Sequence, residues 1–145
     1  MLQPSGLVDS GALLALLNRR DRWHQTCREV LPTLSLPLAT SVAVVTELSH
    51  FIVSRRLGPI EAMWRLLRSD AITVLPITDQ DLPELELLMR QYGDRPMDFA
   101  DATLVHLAQR ESLDTIFTID HADFETYRIR GRHPFRIVPE RHESR

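Results

Sequence analysis

Short apolar runs alternate with longer amphipathic stretches along the whole chain. "SGLVDS" reads as a buried strand over about residues 6–9, and "GALLALLN" as a helix packed closely on it. Asp21 is the expected N-cap of a helix in "DRWHQTCREVLPTL", which ends near Pro32. A strand follows at about 37–40. Thr40 or Ser41 then caps the helix of "VAVVTELSHFIVSRRLG", which Gly58 and Pro59 should terminate. Pro59 also opens a helix in "PIEAMWRLLRSD". "AITVLPIT" predicts a strand near 72–76, and Thr78 or Asp79 caps a helix closing on Gly93. The last units are a helix in "MDFADATLVHLAQR", a strand near 115–119, a short helix in "ADFETYRI" and a final strand in "FRIVP".

These strands are short and apolar without clean alternation, so both of their faces should be covered. Strand–helix alternation then predicts an α/β fold, a three-layer α/β/α sandwich around a mostly parallel sheet. Residues 1–139 read as a single domain, and "ERHESR" (140–145) as a short polar tail. In open sheets of this kind, sites form beyond the carboxyl ends of the strands.

Composition narrows the partners. With 43% apolar and 26% charged residues, the chain is an ordinary globular one. A net charge of −3 gives no bulk attraction to nucleic acid, so such binding needs local patches or bound cations. All 17 basic residues are arginine, which fits either a GC-rich genome or selection for bidentate phosphate contacts. Cys27 is alone, which rules out an internal disulfide or a Cys-rich zinc site and fits a reducing cytoplasm. The N-terminus lacks a positive n-region, and the apolar run "ALLALL" is far below the roughly 20 residues that span a bilayer. The expectation is a cytoplasmic protein without a membrane partner.

Four carboxylates stand out against this background. Asp9 and Asp120 are each expected to end a strand, at the carboxyl edge of the sheet. Glu47 lies mid-helix beside Ala43, Val44 and Phe51, where a charge is costly unless paired or coordinated. Asp101 occupies the first turn of an apolar helix, three residues after Asp98. Each has a local reading of its own: Asp98 as a helix cap, Asp9 as a cap, Asp120 as a turn residue, Glu47 as an Arg-paired surface acid. No single one of these covers all four. If the acids converge, their repulsion is relieved by a hard divalent cation, Mg²⁺ or Mn²⁺, because the set contains no His or Cys.

The motifs "LVDSGALLALLNRRDRWH", "TELSHF", "MDFADATLVHLAQR" and "IFTIDHADFETYR", in this order, resemble the PIN-domain family, in particular VapC-like toxin ribonucleases. The resemblance spans about residues 5–139. It implies an acidic metal site and metal-dependent endoribonuclease activity, in the toxin of a toxin–antitoxin pair. By motif, Asp9, Glu47, Asp101 and Asp120 match the family's acids, both catalytic and metal-holding, while Ser10 and Thr118 match supporting hydroxyls. Asp98 falls one turn before the main position and reads as cap or support. Asp123 reads as a helix cap first and a supporting residue second. The implied partners are RNA, a cognate antitoxin chain and a second copy in a homodimer.

Other readings remain in play. One is a PIN-like RNA- or protein-binding module without significant nuclease activity. Another is a phosphoryl-transfer or receiver-type acid pocket, against which stand "VDSG" in place of a DxD pair and the absence of lysine. No Walker loop or GxGxxG occurs. Three arginine clusters, at 19–22, 55–56 and 128–132, could each meet phosphates or simply face solvent. Trp23 and Trp64 read as packing residues.

Overall fold

The computed structural model describes residues 3–95 and 97–141. Its centre is a five-stranded sheet formed by β1 (Gly6–Val8), β2 (Leu38–Thr40), β3 (Ile72–Val74), β4 (Thr115–Phe117) and β7 (Arg136–Val138). The strand order is β3-β2-β1-β4-β7, and every pairing is parallel. Helices α1 (Ser10–Leu17), α2 (His24–Val30), α3 (Val42–Arg55), α4 (Ile60–Leu67), α5 (Leu82–Gln91), α6 (Phe99–Glu111) and α7 (His121–Thr126) flank it. The expected α/β architecture is the observed one.

Strands of three residues each cannot hold a sheet by hydrogen bonds alone. The sheet is held by burial: Leu7, Val8, Ala39, Ile116 and Phe117 expose no surface. Helix α6 is nearly all core, with Ala102, Leu104, Val105, Leu107 and Ala108 fully enclosed. Gly6 lets β1 and β4 approach, since a Cβ there would lie 2.8 Å from the Thr115 carbonyl oxygen. Cys27 is a core residue, and burial pushes its thiol up to about 12, so it stays an unreactive thiol.

The chain runs from β1 outward to β2 and β3, then returns to the other side of β1 for β4. The order therefore switches between β1 and β4. This is where an open parallel sheet leaves a crevice beyond its carboxyl ends.

Several local expectations shift. Strand β4 ends at Phe117, so Asp120 does not end the strand but caps α7. Asp123 is therefore a first-turn residue of α7 and not its cap. Asp21 precedes α2 by a turn and accepts from the Trp23 N–H at 2.8 Å; it does not cap that helix. Helix α3 ends at Arg56 in the left-handed region, φ 51°, ahead of Gly58 and Pro59. Trp64 is 53% exposed and does not pack in the core. A hairpin of β5 (Arg128–Ile129) and β6 (His133–Pro134), turning through Gly131 at φ 71°, has no counterpart in the apolar pattern. Of the expected polar tail, Glu140 and Arg141 are described, and Arg141 pairs with Glu125 at 3.0 Å. Residues 142–145 lie outside the described residues. No helix among the described residues is long and apolar enough to cross a membrane.

Candidate functional site

The crevice between β1 and β4 is lined by acids that local backbone chemistry puts there. Beyond Val8 the chain leaves the sheet, and Asp9 turns it into α1. Its Oδ1 accepts from the Ala12 N–H at 3.0 Å, as an N-cap does. Its Oδ2 accepts from the Thr118 hydroxyl, which follows the neighbouring strand β4. Thr118 Oγ1 in turn accepts from the Asp120 N–H at 2.9 Å. Asp120 caps α7 by accepting from the Asp123 N–H at 3.3 Å. On the other side of Asp9, Ser10 donates to Glu47 Oε1 and ties α1 to α3.

The fourth acid arrives on α6. Asp98 caps this helix, accepting from the Asp101 N–H at 2.8 Å. Asp101, one turn in, accepts from the Tyr127 hydroxyl at 2.9 Å. The two acids thus divide the work: Asp98 holds the helix start, and Asp101 points back toward the crevice.

The electrostatics separate this cluster from ordinary surface acids. Burial is the main force pushing Asp9 up to about 7; bonds from Thr118 and Ala12 oppose it, and Asp120 and Glu47 add to it. Burial also pushes Asp101 up to about 8, reinforced by the charges of Asp98, Asp9 and Asp123 and opposed by Tyr127. Burial and Asp120 raise Asp123, which Arg95 partly offsets at 3.5 Å. Neither Asp9 nor Asp101 has an ion-pair partner among the described residues. The N-termini of α1 and α6 offset some of the negative charge.

The structure therefore brings Glu47, Asp101 and Asp120 each into electrostatic range of Asp9, with Ser10, Thr118, Asp98 and Asp123 bonded to them or beside them. It does not close them into a cage: among the described residues, no group of three His, Cys, Asp or Glu side chains is gathered tightly enough to hold an ion as it stands. The donor set still fits a hard cation. It is all oxygen, Asp9 is buried and Asp101 half-buried without a counter-charge among the described residues, and hydroxyls orient them.

Tyr127 is the residue that pattern reading missed. It exposes no surface, packs edge-on against Phe124 and Tyr92, and aims its hydroxyl at Asp101. Burial and the Asp101 charge raise its pKa, so it remains a donor. In sequence it reads as one more aromatic in "FETYRI", and only its position seven residues after "TID" could have suggested otherwise.

A groove of about 830 Å³ opens beside Glu47 and Asp98, walled by Val42, Leu82 and Phe99. These three are 62%, 49% and 45% exposed, so the site is rimmed by apolar surface. On the far side of Asp120 lies a second hollow, lined by Gly11, Trp23 and His121.

The chain as a whole has known relatives. The PIN domain family model matches residues 6–129. Ribonuclease VapC26 of Mycobacterium tuberculosis is 30% identical over 136 residues, covering 92% of this chain and 99% of that protein. The crystal structure of Mycobacterium tuberculosis VapC20, a Sarcin-Ricin loop cleaving toxin, matches with a TM-score of 0.72 at 22% identity, over 82% of this chain and 94% of that one. The second likeness carries the fold alone. With the family model covering most of its length and a relative aligned almost end to end, this chain belongs to the PIN-domain family and is VapC-like within it.

Proposed function

We propose that this protein is a metal-dependent endoribonuclease, the toxin of a toxin–antitoxin pair. The observation that carries this reading is a pair of carboxylates, Asp9, which is buried, and Asp101, which is half-buried. They are pushed up to about 7 and 8, have no cationic partner among the described residues, and are held by dedicated hydroxyl donors at the carboxyl edge of the sheet. A chain that places acids this way gains from a cation supplied by solution.

Asp9, Asp101 and Asp120 would hold one or two Mg²⁺ or Mn²⁺ ions, with Glu47 completing the set or orienting water. When bound, the metal neutralises charge on the scissile phosphodiester and lowers the pKa of a water. The chain's own part is positional. Thr118 fixes the Asp9 carboxylate, Ser10 fixes Glu47, and Tyr127 fixes Asp101. Each proton held by Asp9 or Asp101 must leave before metal enters, so metal affinity rises with pH through the neutral range.

The partners follow from the family. VapC26 is named a ribonuclease, and RNA is the substrate class we assign here. A separate antitoxin chain would cover the apolar rim of Val42, Leu82 and Phe99, and a homodimer in the cytoplasm completes the picture.

The test is cleavage of structured RNA with Mg²⁺ or Mn²⁺, beside calorimetric Mn²⁺ binding, for wild type and Asp101→Asn. The reading expects metal-dependent cleavage and metal binding in wild type and neither in the variant. Equal Mn²⁺ binding in both proteins would remove Asp101 from the site. Metal binding without cleavage of any RNA would favour the binding-module reading.

A further inference from the structure

Far along α1 and α3 from the acids, five arginines line one open depression of about 600 Å³: Arg19, Arg20, Arg55, Arg56 and Arg65. In sequence they belong to separate stretches. The fold joins them because α1 packs on α3 and α3 on α4, which brings the ends of α1 and α3 beside Arg65. Arg22, their neighbour in sequence, is drawn away to the Trp23 ring at 5.6 Å.

All five are exposed, and none has a carboxylate within ion-pair distance among the described residues. Elsewhere Arg90, Arg95, Arg110 and Arg141 each meet an acid. The acids closest in sequence do not compensate: Asp21 is turned to the Trp23 N–H, and Glu61 makes no ion pair with Arg65 one turn away. Two helix C-termini meet here, and their carbonyl ends favour cations. Each is worth about −0.5 of a charge and the N-terminus of α4 at the same hollow about +0.5, so together they offset roughly half of one of the five positive charges. The remainder is a concentrated positive hollow on a chain whose net charge is −3.

Two details point to a purpose beyond solubility. Arg56 takes the left-handed C-cap position of α3, φ 51° and ψ 51°, where glycine is the favoured residue. The chain accepts that backbone cost and places a guanidinium at the hollow. Arg55 lies over the Phe51 ring at 4.6 Å, which stiffens the wall.

We propose that this hollow is a second RNA site, which grips backbone phosphates of a folded RNA while its scissile strand lies at the acidic edge. The inference rests on the reading of RNA as substrate. Helical rise puts Arg55 roughly 12 Å along α3 beyond Glu47, so a folded RNA spans both places and a trinucleotide at the acids does not. Guanidinium groups suit phosphate oxygens by their forked, bidentate geometry.

The test is RNA binding as a function of salt, without divalent metal, for wild type and the triple variant Arg19→Gln, Arg56→Gln, Arg65→Gln. The probes are an RNA hairpin and a trinucleotide; cleavage of the trinucleotide is followed separately with Mn²⁺. The proposal expects hairpin affinity to fall by about ten-fold or more and the log–log salt slope to shrink by about two to three. Trinucleotide cleavage should not change. Arg65→Glu alone, on an exposed helix face, tests the same point if the triple variant fails to fold, and should also weaken the hairpin. Unchanged hairpin affinity and slope overturn the proposal. So does loss of binding to phosphatidylserine vesicles with hairpin binding intact, which would make this a lipid-facing patch. If wild type cleaves no RNA yet the variant still loses the hairpin slope, the nuclease reading fails and the second RNA site stands.

Discussion

Asp81 and Asp101 are both aspartates at helix starts, packed against the same protein, with opposite electrostatic fates. Asp81 accepts from the Thr78 N–H at 2.7 Å, His106 at 2.7 Å and Arg110 at 3.2 Å. The Thr78 bond first, then His106 and Arg110, hold its carboxyl well below the usual carboxylate range. Burial first, then the neighbouring charge of Asp98, pushes Asp101 up to about 8 against the bond from the Tyr127 hydroxyl. Where the chain needs a carboxylate for structure, it supplies the counter-charge itself. At Asp101 it leaves that charge out, and the proposed metal would supply it. The contrast is between a buried carboxylate that has its counter-charges and a half-buried one that has none among the described residues.

The sign of pH dependence differs accordingly. Asp81 contributes stability above the ordinary carboxylate pKa, and that contribution is lost as pH falls through its lowered folded value. Asp9 and Asp101 keep protons in the folded state that the unfolded chain releases. Metal-free stability should therefore fall as pH climbs from about 4 to about 8.

The largest way to break the comparison is Asp101→Asn. RNA cleavage should drop on the order of 10³-fold. Metal-free stability at pH 8, read by denaturant melts, should rise by about 1 kcal/mol once solvent screening is allowed for. A variant that loses activity and stability together would place Asp101 with Asp81, as a structural acid.

Asp81→Ala should do the reverse. It leaves His106 and Arg110 without their acceptor and removes the box at Thr78. The expected loss is about 3 kcal/mol, and the cleavage rate per folded molecule should hold. A loss well below 1 kcal/mol would mean that the network adds little.

Thermal melts across pH 5 to 8 sharpen the contrast further. Wild type without metal should lose stability with rising pH. Mn²⁺ at about a hundred times its dissociation constant should return about 2.7 kcal/mol at the upper end. A flat metal-free profile would count against the raised values of Asp9 and Asp101.

Tyr127→Phe should have the smallest effect. It removes the hydroxyl that favours the Asp101 anion, so metal uptake should need higher pH and weaken by about ten-fold. The fold should lose about 1 kcal/mol. Titrating Mn²⁺ affinity against pH separates this role from packing, because a packing defect would leave the pH midpoint where it was.

Much of this molecule was legible before any tertiary contact. Asp98 as a cap, a hydroxyl cap for α3 from Thr40 or Ser41, of which the structure uses Ser41, and Asp9 at the end of β1 all follow from backbone donors within three residues of a short polar side chain. The alternation of strands and helices was equally local, and so was the parallel sheet it implied. The exact end of β4 was not, because "TIFTID" stays apolar past Phe117 while the sheet pairing stops there. The β5–β6 hairpin escaped because two-residue strands around Arg130 and Arg132 carry no apolar alternation. Trp64 was misplaced because size and apolarity do not say which face of α4 meets the core.

By itself, then, the sequence determined most of the elements, the fold class and the family resemblance, and it named the acids as candidates. These depend on capping, periodicity and motif order within short spans of chain. Tertiary structure decided which groups share a space: that Thr118 reaches Asp9 across 109 positions, that Tyr127 meets Asp101, that Asp81 is neutralised from α6, and that arginines from the turn after α1, the end of α3 and α4 line one hollow. The reason is that strand order and helix packing set distances between residues remote in sequence. The electrostatic value of a charge depends on those distances and on the water they exclude.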